Sequence, residues 1–143
     1  AVTAEPGEAA ARAIEELFTR NGWPAAWRNG VYPFAHYHAT CHEALGIAAG
    51  HARVRFGGEQ GLAVALAPGD IAVLPAGTGH QALEASDDLL VIGAYPEGAG
   101  YDLRRGTARE HAGAAELIAK VPVPVLDPLL GRDGGVAVLW RAA

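Results

Sequence analysis

Four side chains in this sequence are spaced for metal chemistry. His36 and His38 lie two apart in the run His36-Tyr-His-Ala-Thr-Cys-His-Glu43, so on an extended strand both imidazoles project from one face. Glu43 follows after one turn, at the start of the next apolar run, and His80 opens a later one. Three imidazoles and a carboxylate converging from neighbouring strands form a site for one divalent transition metal, with one or two positions left open. An open position lets a metal take water or substrate, which its chemistry requires. The donor set suits iron, manganese, nickel, zinc or copper and does not choose between them.

Neighbouring residues compete for roles at this site. His42 precedes Glu43 and faces outward on a regular strand. A bend would turn it inward, as an alternative metal ligand or a proton relay. Tyr32 and Phe34 share the parity of His36 and His38, which predicts that both line the cavity. Cys41 reads as a small buried residue, the site already having four ligands. His51 and His111 read as ordinary structural histidines. Glu84 shares the parity of His80 and is expected at the surface or a strand end, because inside it would need a cation or a proton. Asp102, Arg104 and Arg105 read as a solvated turn, the other reading being guidance of an anionic substrate or a dimer contact.

The elements that must position these groups are short. Ala10, Ala13, Ile14, Leu17 and Phe18 recur at helical spacing, which predicts a packing helix over 6–20, with Asn21-Gly22 ending it. A period of two then begins at Val31 and runs through His38. Further strands are expected over 43–49, 51–56, 62–67, 70–74, 80–85 and 89–95, separated by turn compositions such as Gly57-Gly58 and Pro68-Gly69. Seven short strands predict an antiparallel sandwich or barrel. Leu89–Ile92 is apolar on both faces and calls for a covering layer, either the N-terminal helix or a second subunit. Beyond Pro96 the spacing predicts a short helix over 110–120. Val121-Pro-Val-Pro-Val125 must be extended, and Val136–Trp140 reads as a last strand.

Composition bounds the partners. The 143 residues fit one domain: a helical extension over 6–22, a barrel over about 27–96 and a C-terminal extension over 97–143. Eleven basic against sixteen acidic residues argue against nucleic acid or an anionic membrane as partner. A single cysteine excludes an internal disulfide, and Ala1–Glu16 lacks the basic and apolar pattern of a signal peptide. The expectation is a cytoplasmic protein that takes a small molecule.

The wider spacing is more specific than the ligands alone. His36-x-His38-x4-Glu43-x6-Gly50 and Gly69-x5-Pro75-x-Gly77-x2-His80 resemble, position for position, the two motifs of the cupin superfamily. Trp27-Arg-Asn-Gly30, Tyr32-Pro-Phe34, Gly93-Ala-Tyr-Pro96 and Asp102-Leu-Arg-Arg-Gly106 are similar to small single-domain bacterial cupins of the YjlB type. The resemblance implies an all-β, cupin-type double-stranded β-barrel (a jelly roll), here with an N-terminal helix and a short C-terminal helix. It also implies a frequent homodimer and a metal near the barrel mouth. Carried onto this chain, His36, His38, Glu43 and His80 match the four ligand positions, and only Glu43, not His42, keeps the six-residue spacing to Gly50. The second motif usually continues to an asparagine where this chain has Glu84; that position is not a ligand. The resemblance implies a site and no substrate. The expected function is a metal-dependent enzyme of dioxygenase or isomerase type, the alternative being a non-catalytic module that binds metal or metabolite.

Overall fold

The short apolar runs pair into two antiparallel sheets. The structure is a computed structural model that describes residues 4–97 and 99–142, with backbone alone for 141 and 142. Residues 1–3, 98 and 143 of the expected single domain lie outside that description. Helix α1 (Glu8–Arg20) is followed by strands β1 (Ala25–Asn29), β2 (Glu43–Ala49), β3 (Ala52–Phe56), β4 (Leu62–Leu66), β5 (Ile71–Leu74), β6 (His80–Ala85) and β7 (Leu90–Ala94). One sheet has the order β1-β7-β2-β5 and the other β4-β3-β6. Three short helices close the chain: α2 (Ala108–His111), α3 (Ala114–Lys120) and α4 (Gly135–Ala142). No helix among the described residues is long and apolar enough to cross a membrane.

Alternation divides the core in two. Leu45, Ile47, Val54, Leu66, Leu74 and Val91 pack between the sheets, while Ile92, Ala44 and Ala48 face Ile14 and Phe18 of α1. Strand β7 is therefore apolar on both faces because α1 covers the outer one, and it asks for no second subunit. The close approach of α1 depends on Gly46, where an added Cβ would lie 2.6 Å from Ile14 Cγ2. Arg28 of β1 fastens the same helix, pairing with Glu15 at 2.6 Å and Glu8 at 2.7 Å.

Two expected strands are corrected. Residues 31–38 form no ladder: the chain bends at Pro33 and Phe34, and successive residues bond to different partners. Ala82 donates to the Tyr32 carbonyl, His36 exchanges bonds with His80, and Tyr37 exchanges bonds with Arg104. Pro33 has no N–H to add to a ladder. The true strand at this edge is β1, which lies just before. Val136–Trp140 is helical, not extended. Val136 and Ala137 are buried while Val138 and Leu139 are exposed, a pattern that a strand of period two cannot produce. The buried Asp127 carboxylate accepts from the Val136 N–H at 2.9 Å, satisfying an amide at the start of α4. The helix expected over 110–120 is broken at Gly113, which takes φ 72°.

Candidate metal centre

His38, Glu43 and His80 meet at one point. Each offers a ligand atom, and the three atoms lie within 4.8 Å of one another, all on buried side chains. Glu43 opens β2 opposite Leu74 of β5, and His80 opens β6. His38 comes from the extended segment that crosses between β6 and the Arg104 loop. His80 donates from Nδ1 to the Thr78 carbonyl at 3.0 Å, and His38 Nδ1 donates to the Asp102 carbonyl. A carbonyl can only accept, so each ring carries its proton on Nδ1 and turns Nε2 inward. Both Nε2 atoms stand 3.2 Å from Glu43 Oε2.

That carboxylate oxygen is buried without a hydrogen-bond partner. Its other oxygen accepts from the Tyr95 hydroxyl at 3.2 Å, and Tyr95 accepts from Trp27 Nε1 at 2.9 Å. Two imidazole lone pairs facing an anionic oxygen call for a cation among them, either a proton or a metal ion. Burial works to raise the Glu43 carboxyl, but His38 and His80 outweigh it and hold it down at about 2. Burial works to lower the His38 imidazole, and Glu43 outweighs it and raises it. An unpartnered oxygen with three convergent donors fits a divalent metal. A single shared proton would leave one of the two rings facing the carboxylate without a bond.

His36 borders the same cavity but stays outside the three-donor group. Its Nδ1 donates to the Phe34 carbonyl at 3.0 Å, and its ring centroid lies 4.0 Å from that of His80. Burial, with His80 beside it, lowers its imidazole to about 4 and keeps it neutral. His42 is placed elsewhere. Its Nδ1 accepts from the Ala76 N–H and its Nε2 donates to the Pro122 carbonyl, each at 2.9 Å, so both nitrogens tie the C-terminal strap to the barrel. Neither nitrogen is left for a ligand or relay role. Cys41 is buried, and burial pushes its thiol up to about 12. Glu84 is exposed.

A cavity of about 190 Å³ opens onto these donors, and Tyr32 is among the residues that line it. Phe34 is not. It stacks behind Tyr32 at 4.8 Å, with the Arg105 guanidinium 3.6 Å from its ring centroid. The remaining wall was not assigned from the sequence: Trp27, Asn29, Gly30, Val31, Leu45, Tyr95, Tyr101 and Leu103. One signal for it was present. Gly93 interrupts the apolar strand β7, and an added Cβ there would run into the Trp27 ring, so the glycine is what lets Trp27 lie against β7.

Two packed antiparallel sheets, with donors at the starts of β2 and β6 around a cavity, define a two-sheet β-barrel protein with a buried His/Glu/His triad able to hold a metal. The chain belongs to the family of YjlB from Bacillus subtilis (strain 168), a protein described as uncharacterized. The two are 39% identical over 126 residues, 88% of this chain and 76% of that one. No family model matches the chain. Among solved structures, an uncharacterized Klebsiella pneumoniae protein with a double-stranded beta-helix domain aligns with TM-score 0.44 and 22% identity, over 60% of this chain and 73% of that one. Procruciferin, an 11S globulin from Brassica napus, aligns with TM-score 0.46 and 15% identity, over 62% of this chain and 25% of that one. Likeness at this level adds nothing to the fold described above.

Proposed function

We propose that this protein is a metal-dependent enzyme acting on a small organic molecule, with His38, Glu43 and His80 as ligands and His36 as the fourth. The observation that supports it is the Glu43 oxygen, buried and unpartnered, with two imidazole nitrogens at 3.2 Å and an open cavity beside them. Held there, iron, copper or nickel would supply dioxygen chemistry, whereas manganese, zinc or nickel would supply Lewis-acid polarisation of a carbonyl or enediol. The chain's own contribution is orientation. Asp102 and Thr78 fix the tautomers of the two histidines, and Tyr95 fixes the carboxylate.

Elemental analysis of the untagged protein beside His38→Ala tests this. Near-stoichiometric metal, lost in the variant, supports the site. Metal that is substoichiometric and does not fall in the variant sinks it. Iron or copper directs the next assay to oxygen consumption, and zinc or manganese to isomerisation. A ligand that perturbs the metal spectrum without turnover favours the second reading, a non-catalytic binding module.

A further inference from the structure

The cavity walls differ in character from the donors at its floor. Tyr95 and Tyr101 stack at 4.8 Å with 15° between their planes, and both stand edge-on to His38, at 5.8 and 5.9 Å. Tyr32 stands edge-on to His36 at 5.3 Å. Aromatic rings therefore abut two of the histidines directly. The rim is apolar and wet: Tyr32, Tyr101 and Leu103 are 48%, 60% and 42% exposed while lining the same cavity. Scattered exposed apolar residues are ordinary, but three around one mouth beside convergent polar groups mark a ligand site.

Cations are absent from this lining among the described residues. The two nearest arginines in the chain following Tyr101 are engaged elsewhere. Arg104 pairs with Asp102 at 2.7 Å and donates to the Glu110 carbonyl, and Arg105 lies over Phe34. A divalent ion with one carboxylate ligand and neutral imidazoles leaves a single net positive charge. One negative group on a ligand matches that charge; a second would meet no cation in the lining, only aromatic rings and the neutral amide of Asn29. At about 190 Å³ the cavity is also smaller than the roughly 300–1,000 Å³ that holds a drug-sized molecule.

Resting on the metal-site reading above, we infer that this site takes a small planar molecule with one oxygen-donor head, a phenol or enol, and an uncharged body held against aromatic rings. Dianionic acids of similar size bind more weakly, because the lining supplies no second cation.

Catechol and malonate separate the two classes: both can bind a metal through two oxygens, but free in neutral solution catechol is uncharged and malonate is a dianion, so only malonate must bring two negative charges into the cavity. Zinc-loaded protein, which is redox-inactive and holds catechol without oxidising it, is titrated calorimetrically with each probe while zinc retention is measured. Catechol is expected to bind about tenfold tighter than malonate. Tyr101→Ala should weaken catechol about fivefold, the size of one lost aromatic contact, and weaken malonate by less than about twofold, with zinc retained. Tyr101→Phe should restore the catechol affinity. Zinc retained with malonate bound as tightly as catechol, or catechol binding indifferent to Tyr101→Ala, overturns this inference alone. Wild-type protein that retains no zinc overturns the metal-site reading and this inference with it.

Discussion

Two buried carboxylates serve opposite ends in this molecule. Asp127 is 5% exposed and complete: Oδ1 accepts from the N–H groups of Leu129 and Leu130 at 2.7 and 3.0 Å, and Oδ2 from that of Val136. Glu43 is 2% exposed and incomplete, with one oxygen bonded to Tyr95 and the other facing only imidazole nitrogens. Backbone amides finish the first charge and make it a knot that folds the C-terminal strap. The second is left for something the polypeptide does not itself provide. A buried charge is read from what surrounds it and not from its burial.

Breaking each carboxylate should give opposite signatures. The largest loss of stability is expected for Asp127→Ala, which removes the acceptor of three backbone amides, the Val136 one buried and those of Leu129 and Leu130 part-buried, for a total of about 2–4 kcal/mol in urea unfolding. Metal content per folded molecule should hold. Glu43→Gln should lower metal affinity about 100-fold in equilibrium dialysis. The metal-free protein should lose less stability than Asp127→Ala does: the carboxylate's attraction to His38 and His80 is gone, but the new amide can donate to an imidazole nitrogen. Tyr95→Phe sharpens the contrast further: without the hydroxyl on Oε1, metal affinity should fall about tenfold with little change in unfolding. The smallest effect belongs to the exposed ion pairs of Arg28. Arg12 and Arg28 hold the Glu8 carboxyl down to about 2, and Arg28 lowers that of Glu15. A depressed carboxyl stabilises the fold above its ordinary value of 4.5 and ceases to as pH falls toward 2. The melting-temperature gap between wild type and Arg28→Ala should therefore close over that window.

Spacing made most of the site legible. His38, Glu43 and His80 are separated in sequence but fixed by the two-residue period and by the turns that start β2 and β6. What escaped was decided by contacts between distant segments. His42 sits one residue from a ligand, and only the Pro122 carbonyl, 80 positions on, shows that its ring serves the strap. Phe34 has the parity of a wall residue but lies in a segment that changes partner residue by residue, so parity does not fix its direction. The apolar Val136–Trp140 has strand composition, and Asp127 overrides it by finishing the first amides of a helix. The aromatic wall depends on Gly93 lying under Trp27, a pairing across β1 and β7 that no local pattern encodes.

The carbonyl that orients His38 comes from residue 102, outside the barrel strands and 64 positions along the chain. The Asp102 side chain clasps the same turn, accepting from the amides of Ala39 and Thr40 at 2.9 and 3.1 Å. Docking of that loop and occupancy of the centre by a metal would thus be linked equilibria. Whatever free energy a metal gains from an oriented His38, the loop gains from the metal. Amide exchange at Ala39 and Thr40 should slow when metal is added. A nick between residues 102 and 107 should cost the protein its metal before it costs the barrel its fold.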